Sequence, residues 1–150
     1  MKIRDLMAGK EFKYRIVVTI TPGEFVSTAI RKLAEHDRGS IPVCNEVGEL
    51  VGIITERDIL RKCFSSGEGF INKRIQDVMT EKVAIATPED ELDYAIDIMN
   101  NKRIRHIPIV DEGKVTGMIS MRDLLGVQYR ETKAEIRYAH LIRRRPRTGN

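Results

Sequence analysis

The sequence predicts an α/β protein built from two β-α-β-β-α units that pair about a pseudo-twofold axis. The first observation is an internal repeat, in which Thr21-Pro22 recurs as Thr87-Pro88 at an offset of 66 residues, 87 minus 21. The second is a helical pattern of apolar residues at i, i+3, i+4 and i+7 in both copies, namely Val26, Ala29, Ile30 and Leu33 and then Leu92, Ala95, Ile96 and Met99. Because one copy is too small for a comfortable core, we expect the two copies to pack together.

Each unit should open with a strand and an amphipathic helix. Residues that favour strands precede the Thr-Pro pairs, over Arg15–Ile20 and Val83–Ala86. The segments Thr21–Glu24 and Thr87–Asp90 follow, in which threonine can cap free amides, proline suits a first helical turn, and the final acid complements the helix dipole. These segments predict the N-termini of the two helices.

Two further strands and a second helix complete each unit. The predicted strands are Ser40–Cys44, Leu50–Thr55, His106–Val110 and Val115–Ser120. The second helices should begin near Glu56 and Met121. The predicted organisation is therefore a first repeat at 1-66, a second repeat at 67-128, and a C-terminal helix with a basic tail at 129-150.

Composition argues against several classes of protein. The 150 residues are 41% hydrophobic, and no apolar run approaches the roughly 18–20 residues of a membrane span. The first residues lack the apolar stretch of a signal peptide, so we expect a soluble, cytoplasmic protein with no membrane partner. Cys44 and Cys63 are too few for a disulfide framework, and we expect both to be reduced, with Cys44 a small buried hydrophobe.

The positive charge is concentrated at the C-terminus. The formal net charge is +4, and residues 137–150 hold five arginines and no acid, which leaves 21 basic against 22 acidic side chains in residues 1–136. Spaced apolar residues in 127–142 could extend the last helix and dock against a partner subunit. The basic tip beyond them is usually solvated, and the alternative is a site for nucleic acid or an acidic partner; it consists of Arg143, Arg144, Arg145 and Arg147.

Motifs that occur in both units carry a resemblance to a known family. Each unit has an Ile-Pro-(Val/Ile) strand and then a Gly-x-x-(Thr/Ser)-x-x-Asp segment, Gly52–Asp58 and Gly117–Asp123. With the Thr-Pro pairs and the lead-ins Ile3–Met7 and Ile75–Thr80, this order resembles the cystathionine β-synthase (CBS) domain over roughly residues 1–128. Two such domains in tandem resemble a Bateman module. The resemblance implies that adenosine-containing ligands bind in clefts between the repeats.

The chemistry of the Gly-x-x-(Thr/Ser)-x-x-Asp segment agrees with that implication. Glycine lets the backbone approach closely, Thr55 lies at a strand-to-helix junction where free amides favour a phosphate, and Asp58 can accept both hydroxyls of a ribose. Ser120 and Asp123 repeat the arrangement. The alternative is structural: the hydroxyls cap helices and the aspartates complement the dipole.

The resemblance implies two clefts, in each of which the aspartate of one repeat faces the strands of the other. One set of ligand-binding residues is Thr55, Arg57, Asp58, Ile85, Ala86, Thr87, Ile104, Arg105 and His106. The other set is Thr19, Ile20, Thr21, Arg38, Gly39, Ser40, Ser120, Arg122 and Asp123. We expect the first cleft to be the better site for a phosphorylated nucleotide, because Arg105 and His106 occupy positions that are glycine and serine in the second. The alternative for His106 is a structural role. Lys102 and Arg103 could contact a phosphate, and the alternative is that they form a solvated helix end.

Familiar signals for catalysis are missing from the sequence. It has no Gly-rich phosphate loop, no two-histidine metal spacing and no nucleophile elbow. A run of acids lies at a helix start, where carboxylates complement the dipole more often than they bind metal: Glu89, Asp90, Glu91, Asp93 and Asp97. We therefore expect no catalytic residues, no metal and no cofactor.

The sequence hypothesis is a non-catalytic regulatory module that binds an adenosyl ligand such as AMP, ADP or ATP. A ligand that prefers one arrangement of the repeats shifts the population toward it, and a protein effector or a homodimer would transmit that shift. Three alternatives stay open: a nucleic-acid-binding protein that uses the basic tail, a structural dimeriser, and an enzyme acting on adenine nucleotides.

Overall fold

The computed structural model describes residues 1–128, so the predicted C-terminal helix and basic tail at 129-150 lie outside the described residues. The helices are α1 (Ile3–Met7), α2 (Lys10–Lys13), α3 (Val26–Glu35), α4 (Glu56–Ser66), α5 (Ile75–Val78), α6 (Leu92–Lys102) and α7 (Met121–Gln128), with a 3-10 turn at Phe70–Asn72. The strands are β1 (Ser40–Cys44), β2 (Leu50–Thr55), β3 (His106–Asp111) and β4 (Lys114–Ser120). The predicted α/β class is confirmed.

Each repeat contains one two-stranded antiparallel sheet. β1 pairs with β2, and β3 pairs with β4. Both sheets shift register at the same point of the repeat, after Val43 in the first and after Ile109 in the second. The sequence repeat therefore extends to the irregularities of the sheets.

The predicted first strand of each unit is reduced to a single bridge. Ile20 pairs in parallel with β1 and Ala86 pairs in parallel with β3, and the rest of each predicted strand is not sheet. In the first repeat a side chain binds a carbonyl that a neighbouring strand would otherwise bind: Lys32 Nζ donates to the Thr19 carbonyl oxygen at 2.8 Å. The predicted strands Arg15–Ile20 and Val83–Ala86 were therefore wrong. A segment with high β propensity forms a strand only where another strand pairs with it along its length.

The first helix of each repeat begins later than the Thr-Pro signal predicts. Thr21 and Glu24 close a turn of their own, in which the Thr21 N–H donates to the Glu24 carboxylate at 2.7 Å. The carbonyls of Pro22 and Glu24 accept hydrogen bonds from residues 75–76 of the other repeat. Because another segment binds these carbonyls, α3 begins only at Val26, and the predicted N-terminus was wrong. The second repeat shows the same contacts.

The lead-in helices are exchanged between the repeats. α1 buries Ile3 and Leu6 in the core of the second repeat, and α5 buries Ile75 and Val78 in the core of the first. The two cores therefore do not follow the predicted repeat limits at 66 and 67. The exchange is reciprocal, so each repeat supplies a lead-in helix to the core of the other.

Each exchanged lead-in also places a methionine over the glycine of the opposite motif. A Cβ on Gly52 would lie 2.7 Å from Met79 Sδ, and a Cβ on Gly117 would lie 2.7 Å from Met7 Cε. The two glycines therefore make room for a methionine, in the space that the sequence interpretation gave to a ligand.

Candidate functional site

A cavity of about 580 Å³ lies between the two repeats. One wall comes from residues between 15 and 18 and between 36 and 42, and the other comes from residues 105–106 and from residues between 116 and 123. The volume falls within the range of about 300–1,000 Å³ that is typical of small-molecule sites. The cavity is a cleft shared by both repeats, and Asp123 lies in its wall.

The start of α7 fixes the position of Asp123. The Asp123 N–H donates to Ser120 Oγ at 3.1 Å, and the Ser120 N–H donates to Asp123 Oδ2 at 2.8 Å. This reciprocal pair is a capping box, in which a side chain at each end satisfies a free amide of the first turn. The structural alternative for these two residues is therefore realised, and the same carboxylate still faces the cleft.

Arg15 forms a bidentate ion pair with Asp123 that the sequence interpretation missed. Its Nη1 and Nη2 atoms each donate to one carboxylate oxygen at 3.0 Å, across the cleft from one repeat to the other. The Phe12 ring centroid lies 4.0 Å from the guanidinium carbon of Arg15. A signal was available in the spacing of the repeats. The lead-ins repeat at an offset of 72, 75 minus 3, whereas the Thr-Pro pairs repeat at 66, so the first repeat has six extra residues between its lead-in and Thr21.

The surroundings of Asp123 keep it ionised at neutral pH. Burial raises the pKa of this carboxyl, but the hydrogen bonds from Arg15 and Ser120 lower it by more, so the pKa lies below its ordinary value. The side chains of Asp123 and Arg15 are 12% and 25% exposed. The pair is therefore a charge-assisted, largely desolvated contact rather than a surface salt bridge.

Ser40 presents an unsatisfied hydroxyl at the same cavity. The residue is 4% exposed, and its Oγ has no hydrogen-bond partner among the described residues. A buried hydroxyl without a partner is unfavourable by about 1–3 kcal/mol. A polar ligand atom in the cleft would remove that penalty, so Ser40 is a predicted site residue that the structure brings to the cavity.

Three arginines and a histidine from the predicted sets also line this cavity: Arg38, Arg105, Arg122 and His106. The sequence interpretation grouped Arg105 and His106 with Asp58, whereas in the structure both line the cavity that holds Asp123. A Cβ on Gly39 would lie 2.8 Å from His106 Cε1. The start of β3 can therefore reach this cavity because residue 39 has no side chain.

His106 is a half-buried imidazole. Burial lowers its pKa below the ordinary value and Arg105 lowers it further, although the charges of Glu56 and Asp123 act in the opposite direction. The ring is therefore neutral at pH 7 and can donate one hydrogen bond and accept one.

Asp58 has a different environment. The Asp58 N–H donates to Thr55 Oγ1 at 3.0 Å, and the Thr80 hydroxyl donates to the Asp58 carboxylate at 3.3 Å. Arg57 donates to the Arg103 carbonyl at 3.4 Å, which is a contact between the two repeats. None of Thr55, Arg57 and Asp58 lines the cavity of about 580 Å³.

The remaining predicted residues also lie outside the lining of that cavity: Thr19, Ile20, Thr21, Ile85, Ala86, Thr87 and Ile104. Ile20 and Ala86 are buried in the two cores, and Thr21 and Thr87 close turns with the acids three residues later. The structure thus brings together six of the nine residues of the predicted second set and leaves Thr19, Ile20 and Thr21 outside the cavity.

The acidic run at the start of α6 is engaged by cations. Glu89 accepts hydrogen bonds from Lys2 at 2.8 Å and from Arg4 at 2.9 Å, and these contacts lower the pKa of its carboxyl. Within residues 1–128, no group of three or more histidine, cysteine or acidic side chains is arranged to hold a metal ion.

Both cysteines are free thiols. Cys44 is buried, which raises the pKa of its thiol, and Cys63 is exposed. Among the helices of the described part of the chain, none combines the length and apolar character needed to cross a bilayer.

Comparison with known proteins gives consistent matches. A family model described as the CBS domain matches residues 10–65 and 75–130. An uncharacterized protein of Methanopyrus kandleri is 37% identical over 127 residues, which cover 84% of this chain and 64% of that protein. The chain spans 58%, 64% and 65% of the length of three curated relatives that it matches.

Solved structures share the fold. A CBS-domain containing protein from Agrobacterium tumefaciens has a TM-score of 0.77 at 28% identity, over 85% of this chain and 99% of that chain. The CBS domain pair of protein MJ0100, solved in complex with 5′-methylthioadenosine and S-adenosyl-L-methionine, has a TM-score of 0.69 at 25% identity, over 85% and 99% of the two chains.

Proposed function

Since the chain belongs to the CBS domain family and carries two copies in tandem, we propose that it is a non-catalytic regulatory module that binds an adenine nucleotide such as AMP, ADP or ATP. One observation carries the proposal: a cavity of about 580 Å³, shared by the repeats, holds Asp123, the unpartnered hydroxyl of Ser40 and several arginines. The complex of the MJ0100 domain pair with two adenosyl compounds supports the choice of ligand class.

The groups on the cavity match the parts of a nucleotide. The Asp123 carboxylate can accept hydrogen bonds from the two ribose hydroxyls, and arginine forks suit phosphate oxygens. Four arginines and three acidic residues line the cavity, so the charges of these seven side chains sum to +1. An anionic ligand is therefore favoured over a neutral one.

We assign the first ligand to the cleft with Asp123 rather than to the cleft with Asp58. The sequence favoured the Asp58 cleft because of Arg105 and His106, but both residues line the Asp123 cavity. The second cleft stays a prediction, with Thr55 at the end of β2, Arg57 and Asp58 on α4, and Lys102 and Arg103 at the end of α6. It would take a second nucleotide with lower affinity.

A homodimer or a protein effector would transmit the bound state. The side chains of Leu60 and Phe64 on α4 are 73% and 94% exposed, and Leu125 on α7 is 48% exposed. Leu60 and Leu125 occupy equivalent positions of the Gly-x-x-(Thr/Ser)-x-x-Asp helix, so one apolar face occurs on both repeats. A second copy of the chain, in the cytoplasm, is the proposed partner of these faces. Size-exclusion chromatography with light scattering would test this by comparing the molar mass of the unmodified chain with that of Leu60→Glu.

The proposed function is tested by calorimetric titration of the nucleotide-stripped full chain. The ligands are AMP, ADP, ATP, NAD and S-adenosylmethionine, and the variants are Asp123→Asn and its matched control Asp58→Asn. Saturable binding that weakens about tenfold or more in Asp123→Asn and is kept in Asp58→Asn supports the assignment. If none of the five ligands binds the folded protein, the proposal fails.

Nucleic-acid binding is the second candidate function, favoured by the five arginines and no acid in residues 137–150. Electrostatic binding of this kind should weaken steeply with salt and disappear when residues 137–150 are removed. In that case the CBS pair would act as the dimeriser, with Arg143, Arg144, Arg145 and Arg147 on the phosphates.

A further inference from the structure

We infer that Arg15 selects the ligand by changing its ion-pair partner. When the ligand binds, the guanidinium moves from the Asp123 carboxylate to a ligand phosphate, and the carboxylate then becomes available to the ribose hydroxyls. The inference rests on the proposed function and goes beyond it, since it names the residue that makes the site prefer a phosphorylated ligand. It also links ligand binding to the segment that carries Arg15.

The Asp123 carboxylate has little remaining capacity in the structure. Its Oδ2 accepts from Arg15 Nη1 at 3.0 Å, from the Ser120 N–H at 2.8 Å and from the Ser120 hydroxyl at 2.9 Å. Its Oδ1 accepts from Arg15 Nη2 at 3.0 Å. A ribose diol that donates two hydrogen bonds to this carboxylate must therefore displace Arg15, because the Ser120 contacts belong to the helix cap.

Displacing Arg15 affects adenosine and AMP differently. The guanidinium is 25% exposed and already lies over the Phe12 ring, so leaving it without an anion in the cleft is unfavourable. Adenosine supplies the diol but no anion. AMP supplies both, so its phosphate can replace the lost carboxylate contact through the same two donors.

The second cleft provides an internal control. The position equivalent to Arg15 in the second repeat is Glu81, at the offset of 66, and the residue that donates to the Asp58 carboxylate is Thr80. Neutral Thr80 can turn away from Asp58 without leaving a charge unpaired. The preference for a phosphorylated ligand is thus expected from the Asp123 cleft and not from the Asp58 cleft.

The position of Arg15 explains how binding would reach the rest of the chain. Arg15 follows α2, which lies in the six extra residues of the first repeat, and Phe12 of α2 packs against the core of the second repeat. Release of Arg15 from Asp123 removes a tether between that segment and α7. The loss of this one contact would release the end of the α1–α2 lead-in, which packs in the core of the second repeat.

The test compares adenosine with AMP in calorimetric titrations of the full chain and of Arg15→Gln, with Glu81→Gln as the matched control. The unmodified chain should bind AMP at least tenfold more tightly than adenosine, since one charge-assisted contact corresponds to about tenfold or more. In Arg15→Gln the affinity for adenosine should rise and that for AMP should fall, so that the AMP-to-adenosine ratio drops about tenfold, while Arg38, Arg105 and Arg122 still favour the anion. Glu81→Gln should keep the ratio of the unmodified chain.

Two further results decide between the inference and its rivals. Arg15→Lys keeps the charge but not the paired donors, so its AMP-to-adenosine ratio should fall between those of the unmodified chain and of Arg15→Gln, and it also serves if Arg15→Gln melts at a much lower temperature. Binding of AMP with an AMP-to-adenosine ratio that Arg15→Gln leaves unchanged overturns the inference and leaves the proposed function standing. Failure of both ligands to bind the unmodified chain overturns both.

Discussion

Gly39 and His106 approach each other so closely across the repeat boundary that a Cβ on Gly39 would lie 2.8 Å from His106 Cε1 and 3.0 Å from Nε2. The contact joins the start of β1 to the start of β3 at the wall of the cavity. A glycine at position 39 is therefore a packing requirement of the paired repeats.

Gly39→Ala should lower the free energy of unfolding by about 1–3 kcal/mol, because the imidazole ring must shift to make room. Gly23→Ala is the matched control, since a Cβ there meets nothing within 4 Å. Urea denaturation of both variants measures the difference. Equal stability of the two variants would contradict the contact.

Gly52→Ala should destabilise the protein more than Gly117→Ala. A Cβ on Gly52 would lie 2.7 Å from Met79 Sδ and 3.0 Å from the Thr80 carbonyl oxygen, which is backbone. A Cβ on Gly117 would meet Met7 Cε, the end of a flexible side chain that can turn aside. Thermal melting of the two variants orders them, and a larger loss for Gly117→Ala would show that α1 is held more rigidly than α5.

Ile3→Ala should lower the free energy of unfolding by about 2–5 kcal/mol, as expected for a fully buried isoleucine. The unusual feature is that a residue at the N-terminus belongs to the core of the second repeat. Val47→Ala is the control, since Val47 is exposed and its removal should change stability by less than about 0.5 kcal/mol. Chemical denaturation would refute the exchanged lead-in if both variants matched the unmodified chain.

The stability that Asp123 contributes should disappear in acid. Its pKa is lower in the folded state than in the unfolded state, so the contribution is full above the ordinary aspartate pKa of about 3.9 and is lost as pH falls through the lower folded value. Asp123→Asn should therefore be less stable than the unmodified chain by about 2 kcal/mol at pH 7, and the gap should close toward pH 2. Denaturation curves at several pH values measure it, and a gap independent of pH would rule out the ion pair as its source.

The pH dependence due to His106 has its own window. Because burial lowers the pKa of His106 in the folded state, the unfolded chain takes up a proton at higher pH than the folded chain. Stability should therefore fall as pH drops below the ordinary histidine pKa of about 6.5, and should level off below the folded pKa. His106→Asn should remove this part of the slope between pH 7 and pH 5, whereas a slope that persists would assign it to another group.

The sequence by itself determined the repeated unit and its sheets. Strands Ser40–Cys44 and Leu50–Thr55 have the predicted limits, and α4 begins at Glu56 as expected. These features depend on residues close together in the chain: short runs of strand-forming residues, a turn, and a cap. Local chemistry of that kind is readable from the order of the amino acids.

Tertiary structure alone decided the exchanged lead-ins and the partner of Asp123. The carbonyl of Pro22 is bound by the main chain of residue 76, and Asp123 is bound by Arg15, which is 108 residues away. Neither contact has a local signal, because a hydrogen-bond donor in sequence does not say which distant acceptor the packing of two cores will bring to it. The α2 segment could be seen as six extra residues, but only the folded chain placed Arg15, which follows it, on the carboxylate of the cleft.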